Sequence, residues 1–267
     1  MARHHLGWLL CESGPEAADH TVLLLPGALC TVAFYDDLIA EPSLRRASIG
    51  FAATTLPGFG GTEPLDDLSV ENYARVAGRL AADLGCDAVV GHSLGANVAL
   101  EMVATGAFKG PTVLLSPSLS RTDESKFPRA LDVLARVLGH LPYALMLRVI
   151  GPAMKSGLPP ARRDVLIAEL RRNDPRFVRR QTRGYLAYLD RHGSLASRLG
   201  DAGVPTRIVF GEHDDIGLTD DERSALAGYP NVTIVEIPNA GHFTLNQEPG
   251  QIAELLLDAL SSPAPQQ

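Results

Sequence analysis

Six short apolar runs divide this sequence, and each ends near glycine, proline or a polar turn former. They are His20–Pro26, Ala47–Leu56, Cys86–Val90, Pro111–Ser116, Thr206–Phe210 and Val232–Ile237. Their length and nearly continuous apolar character predict strands buried on both faces. Helical patterns separate most of these runs along the chain. Strands that alternate with helices favour an α/β fold with a mainly parallel sheet covered by helices.

Three of the intervening helices can be placed by their ends and their periodicity. Ser69 is a candidate N-cap for a helix that stops at Gly85. Further helices are predicted over Leu94–Thr105 and Gln251–Leu260.

One long segment, residues 119–205, breaks the alternation because it contains helical patterns and no strong strand. We therefore predict a core of residues 1–118 and 206–267 with a helical lid inserted at 119–205. The lid carries sixteen Lys/Arg and eight Asp/Glu, whereas the core carries eight Lys/Arg and 23 Asp/Glu. Most such charge runs are solvated helix faces. The alternative is that Arg179, Arg180 and Arg183 attract an acidic substrate group or grip the acidic core.

Composition excludes several classes of protein. The chain has 267 residues, 45% of them apolar, and a net charge of −7. Nucleic acid is therefore not an expected partner, and no apolar run approaches the ~20 residues that span a bilayer. We expect a cytoplasmic protein with no membrane partner, either a monomer or a homodimer. Cys11, Cys30 and Cys86 lack the spacing of disulfide or zinc frameworks, and no HExxH or similar metal pattern is present. We expect neither a metal nor a cofactor.

The pentapeptide Gly91-His92-Ser93-Leu94-Gly95 matches G-x-S-x-G and lies between a predicted strand and a predicted helix. In this context the glycines allow a sharp strand-to-helix turn that exposes the serine hydroxyl. Ser93 is therefore a candidate nucleophile. The alternative is a serine that simply caps the following helix.

A serine nucleophile needs a base and an acid that orients the base. His242 follows the last predicted strand and is the candidate base. Asp214 follows the preceding strand and is the preferred acid, with the adjacent Asp215 as its rival. Asp123 and Glu124, beyond the fourth strand, are a more distant option.

Backbone amides are expected to bind the oxyanion that forms during acyl transfer. Leu94 directly follows the nucleophile and supplies one amide. The second should come from the loop after the first run, where Pro26 has no N–H group. Ala28 is the favoured donor there, and Leu29 is the second choice.

Taken together, these motifs resemble the α/β-hydrolase superfamily over about His20 to Leu260. The resemblance lies in the lid-bearing branch of esterases, peroxidase-like enzymes and C–C hydrolases. LPGFGGT, GHSLG, GEHDD and NAGHF resemble the family's glycine-rich loop, nucleophile elbow, acid loop and histidine loop. The spacing within the family's acid loop selects Asp214. Two departures from the family stand out. Pro26-Gly27 lies where the family usually has His-Gly, and the region before His20 looks too short for the family's full pair of leading strands, so we expect a trimmed sheet edge.

The resemblance implies a serine hydrolase that cleaves a small or medium, largely apolar carboxylic ester through an acyl-enzyme. Expected substrate contacts are Leu29, His92, Phe243, Leu138 and Tyr143. A C–C hydrolase, lactonase or perhydrolase with the same triad is the alternative, and a ligand-binding receptor is the alternative outside enzymes. The lid's apolar residues either line the pocket or form the lid's core: Leu131, Leu134, Leu138, Leu141, Tyr143, Leu145 and Met146.

Overall fold

A computed structural model describes residues 2–154 and 157–261 of the chain. These residues form one eight-stranded sheet in the order β1-β2-β4-β3-β5-β6-β7-β8. The strands are β1 (Ala2–His5), β2 (Trp8–Ser13), β3 (His20–Leu25), β4 (Ile49–Thr55), β5 (Ala88–His92), β6 (Thr112–Leu115), β7 (Thr206–Gly211) and β8 (Val232–Ile237). The last six pair in parallel. The six predicted strands and the mainly parallel sheet are confirmed.

Helices cover both faces of this sheet, as predicted. In chain order the helices are α1 (Asp36–Ile39), α2 (Pro42–Arg46), α3 (Val70–Asp83), α4 (Leu94–Ala104), α5 (Lys126–Leu138), α6 (Leu141–Ala153), α7 (Arg163–Arg171), α8 (Pro175–His192), α9 (Ala196–Asp201), α10 (Asp220–Leu226), α11 (Thr244–Gln247) and α12 (Pro249–Ser261). Ser69 caps α3 as predicted, because its hydroxyl accepts a hydrogen bond from the Asn72 amide at 3.2 Å.

The expectation of a trimmed sheet edge is wrong. β1 and β2 form an antiparallel hairpin, and β2 also pairs with β4. Leu6 and Gly7 make the two-residue turn with φ of 50° and 83°. Positive φ at both positions matches the twist of a hairpin. Leucine at the first position hides this turn from a search for Asn-Gly or Asp-Gly.

Residues 119–205 enter between β6 and β7 and contain α5 to α9. Helices α5, α6 and α8 pack on one another, and α7 packs on α6. In contrast, α9 packs on α4 and α10, in the helical layer that covers the sheet. Within the lid, Arg183 of α8 contacts the buried Asp132 of α5 at 3.2 Å. That arginine is therefore engaged in an ion pair internal to the lid.

The parallel arrangement decides where chemistry can occur. The carboxyl ends of parallel strands meet at one edge of a sheet, and ligands bind there in open α/β folds. Here the loops after β3, β5, β6, β7 and β8 share that edge. In residues 2–154 and 157–261, no helix has both the length and the apolar character needed to cross a membrane.

Candidate active site

Ser93 occupies the sharp turn between β5 and α4. Its backbone has φ 51° and ψ −119°, a conformation that side chains with a Cβ rarely adopt. It stands at the N-cap position of α4, yet its hydroxyl makes no capping hydrogen bond. Strain of this kind persists where function requires it. Ser93 is partly exposed at the carboxyl edge of the sheet, and its hydroxyl does not cap the helix.

Gly91 and Gly95 make this turn possible by close backbone approach. A Cβ at Gly91 would lie 2.7 Å from the Ala96 Cα. A Cβ at Gly95 would lie 2.5 Å from the Pro26 carbonyl oxygen and would also overlap that of Leu25. The helix N-terminus is thereby packed directly against the end of β3. The two glycines are needed for packing, as the motif predicts.

His242 and Asp214 lie together at the same sheet edge. The His242 Nδ1 is 3.0 Å from one carboxylate oxygen of Asp214 and 3.2 Å from the other. The Ser116 hydroxyl and the Ile216 amide donate further hydrogen bonds to that carboxylate. Asp214 is thus held from three sides, and it fixes the His242 ring through Nδ1. Ser116 was not predicted, because a lone serine after a strand has no distinguishing pattern.

The rival acids lie elsewhere. Asp215 is exposed on the loop after β7. The Asp123 carboxylate accepts hydrogen bonds from the amides of Leu119 and Ser120. Glu124 accepts one from Ser118 instead. Of the four candidate acids, all within the described chain, Asp214 is the one that contacts His242.

The surroundings of His242 and Asp214 favour the charged form of this pair, an imidazolium beside a carboxylate. Burial lowers the pKa of His242, but the hydrogen bond and charge of Asp214 outweigh it, with smaller contributions from Glu124 and Asp215, so that the pKa lies above its ordinary value. Burial raises the pKa of Asp214, but the hydrogen bond and charge of His242 and the Ser116 hydrogen bond lower it overall. A histidine that gains a proton would therefore be stabilised by its carboxylate.

His92, an expected substrate contact, is only 2% exposed and lies behind the site. Its Nε2 donates to the His242 carbonyl oxygen at 2.9 Å, and the two rings are 4.8 Å apart. Burial and the neighbouring His242 lower the pKa of His92 to about 3. The ring is therefore neutral at ordinary pH, and it anchors the loop that carries His242.

The loop after β3 turns tightly beside Ser93. The Cys30 amide donates to the Gly27 carbonyl at 3.2 Å, and Leu29 has φ 70°. A Cβ on Gly27 would lie 2.8 Å from the His92 Nδ1 and 3.1 Å from the Ser93 Cβ. The glycine thus brings the turn against the serine. Ala28 is exposed at this turn.

Asn173, between α7 and α8, connects the lid to two loops of the site. Its amide nitrogen donates to the Leu29 carbonyl at 2.9 Å. Its side-chain oxygen accepts from the Gly60 amide at 2.9 Å. One buried side chain therefore joins the turn after β3 to the glycine-rich loop after β4. A single asparagine between two helices carries no sequence signal for this role.

A second buried network runs from α4 to the lid. Asn97, one turn beyond Ser93, exchanges hydrogen bonds with the backbone of Ser118 at 2.7 and 3.2 Å. The Tyr185 hydroxyl of α8 donates to the Asn97 side chain at 3.3 Å. The Ser118 hydroxyl donates to the buried Glu124 at 3.1 Å. The negative charge of Glu124 contributes to raising the pKa of His242.

A cluster of apolar side chains lies beside the histidine loop. Phe243 follows His242, and its ring lies 5.7 Å from that of Phe34. The cluster around them includes Cys30, Ile150 and Leu158, with Leu29 packed at its border. Of the expected substrate contacts, Leu29 and Phe243 are thus brought together beside His242. Tyr143 belongs instead to the main core cluster, and Leu138 is half-exposed on α5.

No group of three His, Cys, Asp or Glu side chains is placed to hold a metal ion in the part of the chain that the structure describes.

Comparison with known proteins agrees with this architecture. A model of the alpha/beta hydrolase family matches residues 22–255. A search of curated protein sequences finds no match. An esterase, EaEST, from Exiguobacterium antarcticum has a similar structure, with a TM-score of 0.74, 14% identity and 96% coverage of both chains.

Two other solved structures are similar over 98% of both chains. The N-acyl homoserine lactonase AidH, complexed with N-butanoyl homoserine, has a TM-score of 0.73 and 18% identity. The epoxide hydrolase CorEH has a TM-score of 0.74 and 18% identity. Likeness at these identities establishes the fold alone, whereas the family model covers most of the sequence. The chain therefore belongs to the alpha/beta hydrolase family.

Proposed function

We propose that this hydrolase cleaves a carboxylic ester through an acyl-enzyme on Ser93. The observation that carries the proposal is the conformation of Ser93. Its backbone has φ 51°, and its hydroxyl does not cap α4. A strained, uncapped serine at the sheet edge that also holds the His242–Asp214 pair is the arrangement that nucleophilic acyl transfer requires.

The reaction follows from the roles of these groups. Ser93 Oγ attacks the acyl carbonyl while His242 Nε2 takes its proton. Asp214 holds the Nδ1–H of His242 and stabilises the imidazolium. The amides of Leu94 and Ala28, or Leu29 as the second choice for the latter, bind the oxyanion. His242 returns its proton to the leaving alkoxide, and a water activated by the same histidine then hydrolyses the acyl-enzyme.

The apolar surroundings of the histidine loop support an apolar substrate group. Phe34, Ile150, Leu158 and Phe243 form a buried cluster beside His242, and Leu29 lies partly exposed at its border. Burial of a short alkyl chain against this border contributes about 0.8 kcal/mol per methylene. We therefore expect small or medium esters with an apolar acyl or alcohol part to be the best substrates.

Lactones are the second candidate, because a lactone is an internal ester and needs the same serine chemistry. The lactonase AidH, a structural neighbour over 98% of both chains, motivates this choice. Opening an epoxide through an enzyme ester would need a carboxylate at the elbow, and this chain has Ser93 there. Epoxides are accordingly not proposed as substrates.

The proposal is tested with a fluorophosphonate probe and a panel of esters and lactones of graded acyl length. We expect labelling of Ser93 in the folded protein and hydrolysis that improves with chain length until the pocket is filled. The His242→Ala variant should lose both labelling and turnover, because the serine then lacks its base. A folded wild-type protein that the probe leaves unlabelled would contradict the proposal.

The Glu124 carboxylate provides a pH test of the same site. Its negative charge raises the pKa of His242. His242 must be neutral to accept the Ser93 proton, so kcat/KM rises with pH through this pKa. Replacing Glu124 by Gln removes the charge, and we expect the rising limb to move to lower pH. Glu254→Gln, an exposed change on α12, serves as the control. If the rising limb of the kcat/KM–pH profile does not move in Glu124→Gln, Glu124 does not act on His242.

A further inference from the structure

The exposed large apolar side chains of the described residues all lie on the lid helices α5, α6 and α7. Eight of them form what we call the outer lid face. Its members are Phe127, Val133, Leu134, Val137, Leu138, Leu141, Leu145 and Val149. Val137 is 86% exposed and Leu145 is 62% exposed. The surfaces of soluble proteins rarely group large apolar side chains in this way, and such exposed apolar patches mark binding sites.

Helix α6 shows that this face is separate from the substrate site. Tyr143, Leu147 and Ile150 point inward, and Ile150 belongs to the apolar cluster beside Phe243. Leu141 and Leu145 point away from that side, as their spacing of four residues requires. Both sides of α6 are therefore apolar. Arg148 is the one charged side chain of α6, and an apolar helix side that faces water marks a binding face.

For part of the predicted set of lid residues, exposure contradicts one of the two expected roles, that of forming the lid's core. Leu134, Leu141 and Leu145 are all more than half exposed. They do not form a core, and α6 turns its outer side away from the active site. Periodicity reveals that a helix has an apolar face, but it does not show what that face touches.

The charges around the face identify what could cover it. Between residues 126 and 154 the exposed charged side chains are Lys126, Arg136 and Arg148. The one acidic residue in that stretch, Asp132, is 6% exposed and is contacted by Arg183 and Arg136. Along α5 and α6 the outer lid face is therefore accompanied by exposed positive charges and by no exposed acidic side chain. Two such faces from two copies of the chain would bring like charges together.

We propose that the outer lid face docks on a lipid surface that contains anionic headgroups. An apolar helix face with basic residues at its border lies in the plane of a membrane, with its side chains about 5–10 Å deep. Lys126, Arg136 and Arg148 contact phosphate groups, while Phe127, Val137, Leu145 and their neighbours enter the acyl boundary. This docking is peripheral, because no helix of the described chain can cross a membrane. It revises the expectation of no membrane partner, which rested on spanning segments alone.

The test is sedimentation of the full chain with vesicles of phosphatidylcholine and with equimolar phosphatidylcholine and phosphatidylglycerol. The wild type should bind the mixed vesicles, with less bound as salt is added, and should bind the neutral ones weakly. Val137→Glu and Leu145→Glu should each lower binding by about ten-fold, because they remove apolar contact and add repulsion. Arg148→Gln should lower binding to the mixed vesicles by about five-fold.

Ala225→Glu, which adds the same charge to the exposed side of the core helix α10, is the matched control and should bind as the wild type does. Thermal melts are used to check that each variant is folded, which we expect because the replaced lid side chains are already exposed. A wild type that stays in the supernatant with the mixed vesicles overturns the proposal. Sedimentation equilibrium provides a second test. If it shows a wild-type dimer that Val137→Glu dissociates, the outer lid face binds a second copy of the chain, and the proposal is overturned.

Discussion

Replacing Ser93 by Ala is expected to lower kcat on the best ester by about 10⁶-fold, the loss seen when the nucleophile is removed from a serine triad. The remaining turnover would come from the oxyanion amides and from substrate binding. KM should change little, because the lost hydroxyl acts in the transition state. Labelling by a fluorophosphonate should disappear. Ser224→Ala, an exposed change on α10, is the control and should retain full activity.

A second substitution at this position separates strain from chemistry. Ser93→Gly should be as inactive as Ser93→Ala. Glycine adopts a φ of 51° without the penalty that a Cβ brings. We therefore expect Ser93→Gly to raise the free energy of unfolding by about 1 kcal/mol over the wild type. Denaturant titration measures this difference. Full ester turnover in Ser93→Ala would refute the assignment of Ser93 as nucleophile.

Replacing Gly95 by Ala is expected to lower the free energy of unfolding by at least about 3 kcal/mol, at the upper end of the range for overpacked sites. The new Cβ would lie 2.5 Å from the Pro26 carbonyl oxygen, beside that of Leu25. These atoms belong to the backbone, so no side-chain rotation relieves the overlap. The end of β3 must move, and the turn that carries Ala28 moves with it. We expect activity to fall as well as stability.

Gly184→Ala is the matched control for this prediction. Gly184 also lies in a helix, α8, where an added Cβ would lie 3.7 Å from the Leu68 carbonyl, an ordinary contact. Alanine favours the helix over glycine by up to ~1 kcal/mol, so this variant should be slightly more stable than the wild type. Equal stability of Gly95→Ala and Gly184→Ala would contradict the prediction, because it would mean that α4 and the end of β3 leave room for the added Cβ.

Several features of the fold could be predicted because they depend on local pattern. The parallel strands are short, apolar and bounded by turn formers, and α3 has a serine cap. The first hairpin was missed because its turn uses Leu6 rather than Asn or Asp, so only the backbone conformation identifies it. The helices α1 and α2 have four and five residues, too few for helical periodicity to show.

The sequence by itself determined the mainly parallel sheet, the long helical segment between β6 and β7, and the motifs from which Ser93, Asp214 and His242 are proposed as site residues. Motifs are readable because each is a compact stretch next to a strand end. Only the tertiary structure decided that Ser116 supports Asp214, that Asn173 joins two loops, and that the outer face of α6 is uncovered. These facts concern residues distant along the chain, and their contacts arise when strand ends and lid helices meet in space.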